Sequence, residues 1–466
     1  MKKTSRMNFT NSILRGGIFL LMLSTTTISC DLFRKAETSK VPKKNTPKDD
    51  KTANVPNTGK VLVDTIRWRT DPNAKPPVTS SGQPPVVNTN PNSGNPNTGG
   101  NTGTTFTPEA LTLAVLLPFD SDKYVDGKNP PKSQFALDFY AGVKMALDSL
   151  SKQPMNLTVN VVDSRTDFNA TAGRYEVSKA NAILGPIERN DIPPAIAYSS
   201  RNNIPVISPY FPTGDIEGAN PNFIQVKPSL KTHCFNIVQH IKSYHPDAQV
   251  VVAARSKENE IARFAFFDEA EKALSASKFE DWRIDDETNF NVDPYIDRSG
   301  RTTVFIIPSW NEAFVSGFLK RLNASPRRGQ VVVYGMPQWI DFTALNTLYS
   351  SLNVNISSST FIDGNAPEVQ YFRSKFLGKY KKLPNSDAFL GYDCMLYFGK
   401  LMAQYGKNFP QYINSEQQSM LHTKFYFNPV YRNVPVGEDP NANISKVENS
   451  YVNILKFEGG AFRMGN

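Results

Sequence analysis

The chain is poor in the residues that metal and redox chemistry use. Its 466 residues include three cysteines, Cys30, Cys234 and Cys394, and four histidines. No C-x-x-C pair and no H-E-x-x-H is present, so neither a thiol–disulfide couple nor a zinc site of the usual spacing can be read. His240 and His245, five apart in a helical pattern, do not share a face. G-x-S-x-G and G-x-x-x-x-G-K are missing too, which removes the nucleophile elbow and the phosphate loop. No cofactor and no metal is expected. A one-signed charge is also lacking where it would matter. The formal charge is +9, from 52 Lys and Arg against 43 Asp and Glu, but 15 of the basic and 7 of the acidic residues precede residue 112. The remainder carries 37 against 36 and stands at +1. Without a basic face, nucleic acid is not an expected partner.

What the N-terminus has is an export pattern. Lys2, Lys3, Arg6 and Arg15 precede the apolar stretch "GIFLLMLS", which is too short for a permanent span. "TTISC" puts small residues before Cys30, the arrangement at which a bacterial lipoprotein peptidase cuts. Thr27 stands where Leu is commoner. Residues 1–29 are therefore expected to be removed and Cys30 lipidated; the plainer alternative is an ordinary secretory signal with a stray cysteine. On the lipoprotein reading the protein is expected in the bacterial cell envelope, facing the periplasm and anchored to the inner or outer membrane. Asp31 leaves inner and outer membrane both open.

Residues 30–111 are built from Pro, Asn, Thr, Gly and Lys and end in "PNSGNPNTGGNTGTT". Such a composition cannot bury enough apolar surface to offset chain entropy and reads as a disordered tether, with a root-mean-square span of about 50 Å. Lys35, Lys40, Lys43, Lys44, Lys48 and Lys51 either rest on an anionic lipid surface or are simply solvated. One island, "KVLVDTIRW" at 60–68, alternates like a strand and either docks on a sheet edge or does nothing. Cys234 and Cys394, both in amphipathic helical patterns, read as two separate buried thiols.

From Thr112 onward 355 residues remain, more than one core usually accommodates. Apolar runs ("LTLAVLLPF", "LTVNVVD", "NAILGP", "IPVISP") alternate with helices such as "SQFALDFYAGVKMALDSLSK", which Ser133 is placed to cap. A second series ("AQVVVAARS", "TTVFIIPS", "QVVVYGMP") repeats the pattern. The fold class is α/β: two doubly wound parallel-sheet lobes. Ligands of open α/β sheets bind beyond the carboxyl ends of the strands. There stands "AILGPIERND": Gly185 allows a sharp turn, Pro186 fixes the exit, and Asp191 is placed to cap the helix holding Pro193 and Pro194. The same punctuation recurs as "LLPFD", "VISPYF", "IIPSWN" and "YGMPQW".

In order, "LAVLLPF", "FYAGVKMALDSL", "ILGP", "IPVISP", "FIQVKPSLKTHCFNIVQHI" and "YFRSKFLGKYKKLPNSDAFLGYDCMLY" resemble the type I periplasmic binding proteins, in the branch of the branched-chain amino-acid binding proteins. The sequence is also similar to penicillin-binding-protein activators and to LysM-linked envelope lipoproteins, although no LysM module is visible. The resemblance implies a domain over 112–466, with lobe 1 near 112–222 and 358–415 and lobe 2 near 223–357 and 416–466. The crossings of its hinge are expected near Asn222, Ser357 and Glu416. It also implies an inter-lobe cleft. Phe119, Asp120, Asp163, Arg189, Ser208 and Tyr210, with Phe211 beside it, would line the first wall, and Ser309, Trp310, Gln338 and Trp339 the second. Relatives that bind free amino acids hold the carboxylate with Ser or Thr after the third strand of the sheet; here that loop is Ile187, Glu188 and Arg189. Arg189 is either a carboxylate or phosphate ligand or a solvated partner of Glu188 or Asp191.

Two functions of different class follow. In one, the lobes close on a small amino-acid-, peptide- or sugar-like solute and present it to an ABC permease or a signalling partner. In the other, a non-enzymatic regulator of cell-wall synthesis uses its long tether to reach a peptidoglycan synthase. Catalysis would rest on Asp120, Asp163, Asp167 and Glu188 meeting in the cleft, and an enzyme is not expected.

Overall fold

The computed structural model describes residues 63–67, 110–124, 133–151, 156–164, 167–214, 216, 218–432 and 443–465. All belong to the unit Lys60–Asn466. The export signal, Cys30 and the tether, apart from 63–67 and 110–111, lie outside the described residues.

The chain opens the first lobe with β1 (Val63–Arg67), β2 (Leu111–Leu117), α1 (Gln134–Leu150), β3 (Leu157–Asp163), the short α2 (Phe168–Ala172) and α3 (Tyr175–Ser178), and β4 (Ala182–Leu184). After α4 (Ile192–Asn202), β5 (Val206–Ser208) and β6 (Phe223–Gln225) complete this series. The second lobe runs through α5 (Leu230–Tyr244), β7 (Gln249–Arg255), α6 (Glu258–Ile261), α7 (Phe264–Leu274), β8 (Glu280–Ile284) and β9 (Thr303–Ile306). It continues with α8 (Glu312–Ala324), β10 (Val331–Gly335), α9 (Asn346–Ser351) and β11 (Asn353–Ser358). The chain then returns as α10 (Pro367–Tyr380), α11 (Ser386–Tyr405), the ribbon β12 (Gln418–Ser419) and β13 (Lys424–Phe425), and β14 (Phe427–Tyr431) and β15 (Ile444–Asn449). It ends on β16 (Asn453–Glu458) and β17 (Ala461–Met464).

The first sheet has eight strands in the order β1-β3-β2-β4-β5-β6-β15-β14 and the second seven, β17-β16-β11-β10-β9-β7-β8. Both are parallel at the centre, with antiparallel pairs towards their margins. Alternation along β2 explains the layering. Leu113, Val115 and Leu117 enter the core beneath α1 and α11, while Ala114 and Leu116 enter the opposite core with Phe168 of α2 and Ala195 of α4. Both faces are covered, which is why the strands read as near-continuous apolar runs. In the second lobe β9 does the same: Phe305 packs with Phe318 of α8, and Val304 and Ile306 with α5 and α7. The chain is thus an α/β protein of two doubly wound lobes.

Of the two readings of "KVLVDTIRW", docking holds. Val63–Arg67 pairs antiparallel with the edge of β3, Val63 opposite Val162 and Arg67 opposite Thr158. The chain crosses between the lobes three times. The first follows Gln225 rather than Asn222, because Phe223 and Ile224 are apolar residues buried in the two layers of the first sheet. The second runs from Ser358 to Pro367. The third lies between Asn449 and Asn453 rather than near Glu416, because β14 and β15 extend the first sheet beside β6.

Candidate functional site

The loop "GPIERND" leaves β4 with Gly185 at φ 125°, where a Cβ would sit 3.0 Å from Leu116, so glycine is required there. Asp191 does stand at the N-cap of α4, but its side chain makes no cap bond. It accepts instead from the Phe168 N–H at 3.2 Å and ties the loop to α2. Arg189 is exposed, and its guanidinium lies over the ring of Phe211, 4.9 Å from the centroid. Its neighbours Ile192, Pro193 and Ile196 belong to α4 and line, with Arg189, a hollow of about 780 Å³ on the flank of the first lobe.

The other first-wall residues are largely bonded inside their own lobe. Asp163 is buried at the end of β3. One of its oxygens takes the Phe119 N–H at 3.0 Å, and the other takes the Ser121 N–H at 3.0 Å and hydroxyl at 2.6 Å. It is a brace for the loop after β2. All of these bonds hold that loop. Phe119 packs edge-on to Tyr140 of α1, and Asp120, at φ 50°, pairs with Lys123 at 2.9 Å. Tyr210 donates its hydroxyl to Asp387 at the start of α11, at 2.9 Å, and meets Phe135 and Phe139 of α1. Burial, followed by the neighbouring Asp387 carboxylate, raises the Tyr210 pKa; burial also raises that of Asp387. Lys227, just beyond β6, is partly exposed, yet burial lowers its pKa against the pull of Asp387. Ser208 differs: it is fully buried at the end of β5 and its hydroxyl has no hydrogen-bond partner.

The second wall is likewise self-contained. Ser309 is buried and donates to Glu260 at 2.7 Å; Glu260 also takes Arg255 Nε at 3.1 Å and the second guanidinium nitrogen at 2.7 Å. Burial works against the charged Glu260 carboxylate, but the bonds from Arg255 and Ser309 prevail and hold its pKa below the ordinary value. Trp339 is a core residue, contrary to its placement in the cleft. It is fully buried, donates Nε1–H to the Ser309 carbonyl at 2.9 Å, and stacks parallel to Tyr349. A Cβ on Gly335 would overlap its ring, so the glycine at the end of β10 is what admits the indole. Trp310 and Gln338 are exposed, Trp310 by 45%. The guanidinium of buried Arg263 lies 4.0 Å from the Trp310 ring centroid. Among the described residues no hydrogen bond, ion pair or ring contact joins the two walls.

Sequence reasoning missed Asp387, Glu260 and Arg263, the residues that engage the ones it chose. Asp387 carried a signal, an acid in the first turn of a helix behind the cap Asn385. Glu260 and Arg263 are three apart in "ENEIAR" and look like a solvated helix face. Their burial follows only from the way α6 and the start of α7 pack over the strand ends. No group of three or more His, Cys, Asp or Glu that could hold a metal occurs among the described residues, and Cys234 and Cys394 are separate buried thiols.

No family model and no curated protein matches the chain. Solved structures do. A Rhodospirillum rubrum protein described as a branched-chain amino acid ABC transporter superposes with a TM-score of 0.53 at 15% identity, over 76% of this chain and 100% of that one. The branched chain amino acid ABC transporter periplasmic ligand-binding protein of Burkholderia xenovorans LB400 gives 0.50 at 14%, over 76% and 94%. The C-domain of LpoA from Haemophilus influenzae, a regulator of PBP1A, gives 0.50 at 14%, over 76% and 100%. At these identities the likeness is one of fold, that of the type I periplasmic binding proteins.

Proposed function

We propose that this protein is a non-enzymatic binding module of the cell envelope that works by docking a partner protein. Residues 1–29 would direct export, Cys30 would carry the lipid, and residues 30–111 would supply reach. The observation behind this reading is the internal bonding of both walls. Asp163, Tyr210, Ser309 and Trp339, which would have met a solute, are each engaged within their own lobe. What the second lobe presents outward at the ends of the adjacent strands β9 and β10 is Trp310 on its Arg263 support, with exposed Gln338 and Ile340. A Trp–Arg pair with apolar and amide neighbours has the composition of an interface hot spot. A regulator of PBP1A sharing this fold makes a peptidoglycan synthase the first partner to try.

One observation favours the solute reading instead. A fully buried hydroxyl without a partner, Ser208 Oγ, at the carboxyl end of a central strand is where the fold places polar ligand contacts. A single experiment separates the two. The purified chain is titrated against a peptidoglycan synthase and, separately, melted with amino acids, short peptides, sugars and peptidoglycan fragments. The docking reading expects synthase binding that Trp310→Ala weakens at least tenfold without lowering Tm. A solute at a hundred times its Kd would add about 2.7 kcal/mol of stability. Such a shift, lost in Ser208→Ala, would overturn docking as the main activity.

A further inference from the structure

Where the two lobes join, a hollow of about 890 Å³ lies between a sheet face of the first lobe and a helix face of the second. Strand periodicity builds its floor. Asn428 and Val430 alternate along β14 and Lys446 and Glu448 along β15, so the four share one face of this antiparallel pair, Asn428 opposite Glu448 and Val430 opposite Lys446. Phe427 and Val447, one step out of register with them, enter the core on the other face. Helix periodicity builds the wall. Thr232, Phe235, Asn236 and Gln239 of α5 form one stripe, while Cys234, Ile237, Val238 and Ile241 carry the opposite stripe into the core of the second lobe.

Much of the hydrogen-bonding capacity around this space is unspent. Gln239 and Gln417 are exposed and their side-chain amides bond to nothing in the protein, and neither do the hydroxyls of the half-buried Tyr426 and Tyr451. Asn236 donates to the Thr232 carbonyl at 2.9 Å and Asn428 to the Ser450 hydroxyl at 2.6 Å, which leaves the carbonyl oxygens of both amides as acceptors. The charges are one-sided, three lysines against the single carboxylate of Glu448. Lys446 is spent on Glu448 at 2.9 Å and Lys231 on Glu269. Lys424 has no carboxylate partner; its ammonium lies over the Tyr451 ring, 5.8 Å from the centroid. Amides and hydroxyls that both donate and accept match a ligand rich in hydroxyl groups. The rings of Phe235, Tyr426 and Tyr451 match flat apolar surface, and the free ammonium matches an anionic group. We infer that this hollow is a binding site for an acidic oligosaccharide, its carboxylate on Lys424, its hydroxyls on the side-chain amides and its ring faces against the aromatic side chains. This site does not depend on the docking proposed at Trp310.

The test is a titration of the labelled full chain at pH 7 over an immobilised set of oligosaccharides of two to four sugars, each acidic member paired with its carboxyl-reduced, uncharged counterpart. The expected result is saturable binding of acidic members, at least tenfold weaker or undetectable binding of their reduced counterparts, and a loss of at least tenfold in Lys424→Met. A second variant, Gln239→Ala, removes an exposed amide that bonds to nothing in the protein; it should leave Tm unchanged and weaken the acidic members several-fold. Trp310→Ala, which tests the docking reading, should leave sugar binding as it is, so the two proposals fail separately. No member bound, acidic and reduced members bound equally, or an affinity unchanged in both Lys424→Met and Gln239→Ala would overturn the assignment.

Discussion

His233, on α5, is buried and its Nδ1 has no hydrogen-bond partner. Burial first, and then the nearby Lys227 charge, lower its pKa from 6.5 to about 3. The unfolded ring takes up a proton as pH falls through 6.5, whereas the folded ring stays neutral until about pH 3, so stability is lost on acidification across that window. At pH 4.5 this one residue costs roughly 2–3 kcal/mol relative to neutral pH. Replacing it by a group that does not titrate, His233→Gln, should flatten the fall in Tm between pH 6.5 and 4.5; an unchanged slope would show that the folded ring does accept the proton. The residue scale also shows why site residues were hard to read. Asp163 and Asp393 are both acids inside apolar context, and nothing in either local sequence says that one has both oxygens bonded and the other only one. Oxygen satisfaction depends on partners 42 and 29 residues away.

At the scale of elements, the contact between α1 and α11 rests on glycine. A Cβ on Gly142 would overlap the Ala388 carbonyl, and a Cβ on Gly391 the Phe139 carbonyl. The two backbones therefore touch through positions where only hydrogen fits. Overpacking of this kind costs roughly 1–3 kcal/mol, which for a domain of this size lowers Tm by about 1–2 °C per kcal/mol. Gly142→Ala and Gly391→Ala should each melt several degrees lower. A double variant that costs no more than one of them alone would show a single shared spacing, because residues in contact are not additive. The helices themselves were plain from their apolar periodicity. The closeness of this pair was not, because a glycine inside a helix looks the same whether it faces a backbone or solvent.

For the whole molecule, the decisive structure is the junction of the lobes. Lys446 and Glu448 of β15 form a buried pair at 2.9 Å. The Lys446 ammonium also donates to the carbonyls of Thr213 and Gly214, at 2.7 and 3.1 Å, and to Gln225 Oε1 at 3.0 Å. Glu448 accepts from the Ser229 N–H at 2.7 Å and the Thr232 hydroxyl at 2.5 Å, where α5 begins. One carboxylate thus fastens the first helix of the second lobe to the first sheet, in a place where the helix N-terminus favours negative charge. Removing one member of a buried pair strands the other and costs about 3–5 kcal/mol. Lys446→Met should therefore lower the urea-unfolding free energy by about 3 kcal/mol; a loss below about 1 kcal/mol would mean that water reaches the pair and the junction is loose. "ISKVEN" carried the signal, since Lys and Glu two apart on a strand share a face, but a solvated edge strand reads the same way.

The sequence by itself determined the strands, the helices and the two-lobed α/β class, because apolar periodicity is a local property enforced by burial on both faces of each sheet. It also set the strand ends as the place where side chains of the two lobes would be offered. Tertiary structure alone decided which of those side chains stay available. Trp339 turned inward because Gly335 makes room for it, and Ser309 was drawn to Glu260. Asp163 was consumed by the loop it braces, while Trp310 was left exposed and the Ser208 hydroxyl unpartnered. Each outcome depends on geometry between residues distant in the chain, and a hydrogen bond or a stacked ring leaves no periodic trace in the sequence that makes it.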